Sequence, residues 1–291
     1  MRGERIEFPN PVGERLAALL NRPEGPTRAV ALFAHCFTCS KDVFAARRIS
    51  EALAGRGIAV LRFDFTGLGA SEGEFANTNF SSNVEDLVAA AGWLRDHLQA
   101  PAILIGHSLG GAAVLAAAGR IEEAVAVATI AAPFEPAHVG HLFDHARPEI
   151  ESRGAAAVTL AGRSFTVTRQ FLDDLQGQRQ AERIQNLRKA LLVFHAPRDE
   201  IVGIDNAGQI FQAARHPKSF VSLDDADHLL TRRADAAYVA EVLAAWASRY
   251  LPEVIDEREH APGLSGEVVV WETGGGAFQQ EVSTGRHRFI A

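Results

Sequence analysis

A chain of 291 residues, 47% of them apolar, is long enough to bury the core of one large domain, and its formal net charge of −7 disfavours nucleic acid and anionic lipid as partners. Lysine and arginine occur singly or in pairs such as Arg47-Arg48 and Arg232-Arg233, never in a run that would form a basic patch. The opening MRGERIEFPNPVGERL has charge and proline where a secretory leader needs an apolar core, and the longest apolar runs, Ala29 to Ala34 and Ala112 to Ala118, fall short of the roughly 20 residues of a membrane span, so a cytoplasmic protein without a membrane contact is expected.

Taken in chain order, the pattern first predicts strands over Arg5–Phe8 and Leu16–Asn21, joined as an antiparallel hairpin through Pro11-Val12-Gly13. Then follow Val30–Ala34 (strand), Val43–Arg56 (helix), Ile58–Phe63 (strand) and Val84–His97 (helix), the last with a capping-box signature at Ser82-x-x-Glu85. The alternation continues through Ala102–Ile105 (strand), Ser108–Gly119 (helix), Val125–Ala131 (strand), Leu191–His195 (strand), Ile204–Ala214 (helix), Ser219–Leu223 (strand) and Ala234–Tyr250 (helix). Strands alternating with helices predict an α/β protein with a mainly parallel sheet covered on both faces. The stretch from Ala131 to Leu191 is too long for a simple crossover. Its predicted hairpin (Val158–Leu160 with Arg163–Val167) and helix near Gln170–Leu175 suggest a cap, about residues 133–188, lying over a site.

After Leu251 the composition shifts. Residues 252–266 carry two prolines and an acidic cluster and read as a linker, whereas 267–291 alternate like a β-hairpin around Gly274-Gly275-Gly276. Such a hairpin is too short to stand alone and needs a partner surface.

The strongest chemical signal is Gly106-His107-Ser108-Leu109-Gly110, placed after a predicted strand and opening a predicted helix. That is the context of a G-x-S-x-G nucleophile elbow, in which a serine is held on a sharp strand-to-helix turn that side chains at the glycine positions would obstruct. A serine hydroxyl needs a base, and in α/β-hydrolases the chain order is Ser, acid, His. His228 follows the last predicted strand, and Asp199 follows the one before it, so all three groups lie at the carboxyl ends of strands. Glu200 and Asp205 compete with Asp199 but sit closer to the following helix; Asp224, Asp225 and Asp227 read as turn residues.

The resemblance to α/β-hydrolases of the serine esterase type is carried further by Phe63-Asp-Phe-Thr-Gly67-Leu-Gly69-Ala-Ser71, which is similar to their Asp-x-x-Gly-x-Gly-x-Ser loop, and it spans residues 1–251. It implies an eight-stranded, mostly parallel sheet with a cap insertion. It also implies an oxyanion hole from the backbone N–H groups of Leu109 and Phe37, since Ala34-His35-Cys36-Phe37 resembles the family's His-Gly-x turn with Cys36 in the glycine position. More closely, residues 35–42, 63–67 and 78–83 resemble the hydrolase half of proteins that fuse an α/β-hydrolase to an OsmC-like domain. By that resemblance Val268–Ile290 match the opening strands of the OsmC-like half, which is otherwise missing, and which implies dimerisation through the C-terminal hairpin.

Other residues carry weaker signals. Cys36-x-x-Cys39 has the spacing of a dithiol redox site, yet its loop is already committed to the oxyanion hole, so two reduced thiols lining that loop are expected; a disulfide there would be reversible and would distort the Phe37 donor. His138, His141 and His145, with Asp144, could share a helix face and bind Zn²⁺, but read better as a polar rim, and no metal or other cofactor is expected. His35 and His107 are assigned structural hydrogen bonds, Asp64 the bracing of its loop, and Phe37, Phe134, Phe143 and Leu229 an apolar acyl pocket.

The expected activity is hydrolysis of small or short-chain acyl esters through an acyl-enzyme on Ser108. Two alternatives remain open: another acyl hydrolase on the same residues (peptidase, thioesterase or lactonase), and a redox or detoxification module built on Cys36 and Cys39.

Overall fold

The computed structural model describes residues 3–160, 162–252, 268–272, 280–284 and 287–290. In the strand Ala29-Val-Ala-Leu-Phe-Ala34 every residue is buried, and successive side chains enter two different cores: Val30, Leu32 and Ala34 one, Ala29, Ala31 and Phe33 the other. A strand pleats with a period of two, so an unbroken apolar run has to be covered on both faces.

The strands are β1 (Glu4–Pro9), β2 (Arg15–Asn21), β3 (Ala29–Ala34), β4 (Ile58–Phe63), β5 (Ile103–His107), β6 (Ala126–Ile130), β7 (Ala155–Leu160), β8 (Arg163–Thr168), β9 (Ala190–His195) and β10 (Lys218–Ser222). Eight of them form one sheet in the order β1-β2-β4-β3-β5-β6-β9-β10; β1, β2 and β4 pair antiparallel and the rest run parallel. The helices are α1 (Phe44–Ala54), α2 (Phe80–His97), α3 (Leu109–Ala117), α4 (Arg147–Arg153), α5 (Arg169–Gln176), α6 (Gln180–Gln185), α7 (Asp205–Ala213) and α8 (Arg233–Ala247). Buried residues of α1 and α8 belong to one core, those of α2, α3 and the cap to the other. This is the α/β-hydrolase architecture implied by the sequence.

Helix α2 starts a full turn before its expected position. Asn79 caps it, accepting from the Ser82 N–H at 2.7 Å, while the Ser82 hydroxyl closes the box on the Asn79 backbone. Asparagine caps as well as serine, and Ser82 thus acts as the third helical residue rather than the cap.

The cap consists of a 3-10 segment, Pro136–Ala146, followed by α4, the antiparallel β7–β8 hairpin, α5 and α6. At the C-terminus, β11 (Val268–Glu272), β12 (Gln280–Thr284) and β13 (His287–Ile290) make a three-stranded antiparallel sheet, one strand more than the expected hairpin, with Val270, Val282 and Phe289 aligned in one row by register. The linker residues from 253 onward, the Gly274–Gly276 turn and Phe278 lie outside the described residues. Among the described residues no helix is long and apolar enough to cross a membrane.

Candidate active site

Ser108 connects β5 to α3 with φ 54° and ψ −125°, a backbone conformation that residues with a Cβ seldom adopt. The turn is closed from both sides: the Ser108 N–H donates to the Ile130 carbonyl and its own carbonyl accepts from the Gly111 N–H, each at 2.8 Å. A Cβ on Gly106 would fall on the Gly110 carbonyl, and one on Gly110 would fall on the carbonyls of His35 and Ala34, so both glycines are sterically required.

His228 reaches this serine from the loop after β10. The Ser108 hydroxyl donates to His228 Nε2 at 3.0 Å, and His228 Nδ1 donates to Asp199 Oδ2 at 2.8 Å. Asp199 lies in the loop after β9, and its other oxygen accepts the N–H groups of Ile201 and Val202, both at 2.9 Å. Burial alone pushes the Asp199 carboxyl up. Hydrogen bonds from His228 and Val202, the His228 charge and the Ile201 N–H outweigh it and hold the group below the ordinary aspartate value. An ionised Asp199 keeps the proton on His228 Nδ1, which leaves Nε2 as an acceptor for the serine proton. Glu200 and Asp205 are exposed and do not reach His228. Asp224 bonds Ser222, Asp225 pairs with Arg232, and Asp227 accepts from Leu229 and Thr231, so these carboxylates shape the turn that carries His228.

Three further histidines are buried around this centre. His107 Nε2 donates to the His228 carbonyl at 2.7 Å, His195 Nε2 to the Val202 carbonyl at 2.7 Å, and His35 Nδ1 to the Cys36 carbonyl at 2.8 Å. Burial lowers all three; for His107, burial and the charge of His228 together push it down to about 4, so it is a neutral donor at ordinary pH. Asp64 accepts both the Lys41 ammonium and backbone N–H at 2.6 Å and the Ala70 N–H at 2.9 Å, bracing the loop behind the site.

Leu109 is the first residue of α3, where N–H groups have no intrahelical partner, and Phe37, in the β3–α1 loop, lines the same cavity. Cys36 and Cys39, expected as free thiols, form a disulfide, their Cα atoms 5.3 Å apart. A tight turn accounts for it: the Cys39 N–H donates to the Cys36 carbonyl at 3.1 Å and brings the two side chains together.

A cavity of about 250 Å³ opens onto Ser108 and His228. Its walls include Phe37, the disulfide, Leu229, Ile201, and Val139 and Leu142 of the 3-10 segment. Two of the four expected pocket residues are placed elsewhere. Phe134 lines a separate cleft with Glu135 and Arg147, and Phe143 is fully buried, its ring 6.2 Å from that of Phe171. Phe143 departs from helical geometry (φ −129°), and this kink separates His145 from the register of His138 and His141. His138 bonds the Ile201 carbonyl and His141 bonds Asp144; among the described residues no three His, Cys, Asp or Glu side chains group as metal ligands. Val139, Leu142 and Ile201 carried no recognisable signal in the sequence, because their place at the cavity depends on how the cap docks. Arg163, which donates from β8 to the Thr38 carbonyl, was hidden for the same reason.

Residues 31–272 match the alpha/beta hydrolase family, a span that runs past Leu251 into β11. A crystal structure of the esterase domain of a Rhodothermus marinus protein is 53% identical, covers 87% of this chain and 100% of its own, and superposes with a TM-score of 0.72. The mouse mitochondrial palmitoyl-protein thioesterase ABHD10 is 27% identical over 79% of this chain and 76% of its own length. Est1E of Butyrivibrio proteoclasticus, solved with ferulic acid bound, shares the fold at 20% identity and a TM-score of 0.71, covering 84% of this chain and 98% of its own.

Proposed function

Since the chain belongs to the alpha/beta hydrolase family, we propose that it is a serine-dependent carboxylic ester hydrolase acting on small or short-chain acyl esters. The observation that carries this reading is the continuous hydrogen-bonded series Asp199–His228–Ser108, with the serine at a strained strand-to-helix turn facing an apolar cavity. Ser108 attacks the ester carbonyl while His228 takes its proton. The N–H groups of Leu109 and Phe37 receive the developing oxyanion. His228 then returns the proton to the leaving alcohol, and water releases the acyl group by the reverse sequence. A cavity of about 250 Å³ is below the usual range for a drug-sized ligand, which supports short acyl groups. The esterase domain that is 53% identical supports ester rather than amide cleavage.

A second reading is favoured by the likeness to a palmitoyl-protein thioesterase: thioesters are cleaved by the same attack, with a better leaving group. Comparing an oxygen ester and a thioester of the same acyl group separates the two. The decisive test is Ser108→Ala assayed on p-nitrophenyl acetate and butyrate: turnover should fall below about 1% of wild type with the circular dichroism spectrum retained, and higher residual activity would identify a different nucleophile. We further read residues 1–251 as the hydrolase unit and 267–291 as a separate β element with the pattern of an OsmC-like domain, in a cytoplasmic protein.

A further inference from the structure

The loop that carries the second oxyanion donor is closed by a covalent bond. Cys36 and Cys39 flank Phe37 and Thr38, and their disulfide lines the same cavity as Ser108 and His228. Cys36 is buried and Cys39 half-buried, so a small molecule entering where an ester enters meets the sulfurs. Thr38 has φ 59°, a left-handed conformation strained for a β-branched residue, and such strain persists only where the surroundings impose it. Three non-covalent bonds act on this loop: His35 to the Cys36 carbonyl, Arg163 to the Thr38 carbonyl, and Cys39 N–H to the Cys36 carbonyl. The Cys36 carbonyl shares a planar peptide with the Phe37 N–H, so the His35 and Cys39 bonds onto that carbonyl set the direction of the Phe37 N–H, and the disulfide ties Cys39 to Cys36 so that the Cys39 bond is kept.

We propose that Cys36–Cys39 is a redox-modification site for small dithiols, and that its disulfide form, expected from the sequence to distort the Phe37 donor, instead holds the Phe37 N–H on the oxyanion through the turn it closes. The inference rests on the esterase reading above. One thiolate of the dithiol attacks a cysteine sulfur, forming a mixed disulfide and releasing the other cysteine as a thiolate. The second thiol of the reagent then displaces the first cysteine. The protein gains two electrons and two protons as two thiols, and the reagent leaves as its own disulfide. Once the ring is open, Thr38 relaxes toward extended backbone, the Phe37 N–H turns away from Ser108, and turnover slows while the apolar walls that bind substrate stay in place. Complete loss of one oxyanion donor costs on the order of 10²–10³ in kcat, so a loop that samples both positions should lose about tenfold.

The test is kcat and KM on p-nitrophenyl butyrate for the whole chain, oxidised and after dithiothreitol, with thiols counted in each sample and folding followed by circular dichroism. The expected result is two thiols gained, kcat lowered about tenfold or more, KM within about twofold, full recovery on reoxidation, and a Cys36→Ser/Cys39→Ser variant fixed near the reduced rate and indifferent to dithiothreitol. Reduction without a change in kcat, failure of the folded protein to release thiols, or a rate loss that accompanies unfolding would each overturn it. If the double variant does not fold, the reduced and reoxidised wild type decide alone. Activity that survives Ser108→Ala would defeat the esterase reading instead, whereas Ser108-dependent activity that ignores reduction defeats only this one.

Discussion

The ring of His107 reaches from the nucleophile turn to the backbone of His228, its Nε2 donating to the His228 carbonyl at 2.7 Å. The residue before the serine thus holds the segment that carries the base, and it does so as a buried imidazole kept neutral down to about pH 4. Replacing it by alanine leaves that carbonyl without its partner beside the site, at a cost of about 1–3 kcal/mol. His107→Ala should therefore lower the melting temperature and reduce kcat more than KM, and His107→Gln, which retains an N–H donor, should recover part of both. Steady-state kinetics with calorimetry on the two variants checks this; an alanine variant with unchanged kcat would show that His228 needs no such tether.

Asp199→Asn keeps the size of the side chain but removes the charge that holds the His228 proton on Nδ1. We expect kcat to fall by on the order of 10³–10⁴ with little change in stability. Asp205→Asn, at an exposed position in the first turn of α7, should be indistinguishable from wild type. An active Asp199→Asn protein beside an inactive Asp205→Asn one would reverse the assignment of the acid.

The residues of this centre were legible because each sits where strand, turn and chain order agree. Gly106 and Gly110 flag the elbow through a local steric need, Asp199 follows a strand whose apolar run is plain, and His228 was placed by chain order after the short, half-exposed strand Lys218–Ser222. The cap was legible only as an excess of length. Its short helices α4 and α6 have seven and six residues, too few for periodicity to register, and the 3-10 segment has no helical repeat to read. Phe143 was assigned to the pocket on its apolar character, yet the same character buries it under the cap against Phe171. The Cys36–Cys39 bridge depends on the turn between them, which residue spacing alone does not specify.

Leu142 is 42% exposed and lines the cavity together with Phe37, so its side chain limits the space for an acyl chain without supporting the core. Leu142→Ala should raise the ratio of kcat/KM for p-nitrophenyl octanoate over acetate by about tenfold, at little cost in stability. An unchanged chain-length profile would mean that the 3-10 segment does not bound the acyl site. The β7–β8 hairpin, expected from the sequence as part of the cap over the site, sends Arg163 to the Thr38 carbonyl. Arg163→Ala should lower kcat on every chain length alike.

The C-terminal strands present Val268 and Val270 at 62% and 52% exposure on one face of the edge strand β11. Exposed apolar residues on a sheet edge favour strand addition from a second copy. We expect the whole chain to scatter light as a dimer and a chain ending at Leu251 to scatter as a monomer. Two monomers of equal activity would remove the case for an interface in residues 268–290.

Asp86 offers a test of how burial governs stability behind the site. It sits on α2, nearly inaccessible, accepting the Thr66 N–H at 2.9 Å and the Thr66 hydroxyl at 3.0 Å, while Asn10 bonds the same hydroxyl. Burial raises its carboxyl from 3.8 to about 6, against the pull of the Thr66 hydrogen bonds. Between those values the folded protein holds a proton that the unfolded chain has released, so this group stabilises the fold below pH 3.8 and that contribution is lost as pH rises through about 6. The difference corresponds to about 3 kcal/mol at most. Asp86→Asn retains an acceptor for the Thr66 N–H and has no charge to desolvate. Its stability relative to wild type should therefore improve from pH 4 to about pH 6 and level off between there and pH 8, in urea denaturation at matched ionic strength. The lowered histidines His35, His107 and His195 act in the opposite sense in both proteins, losing stability as pH falls below 6.5, and cancel in the comparison. A stability difference that stays constant over this range would mean that Asp86 remains ionised in the fold well below pH 6, held there by Thr66 and Asn10.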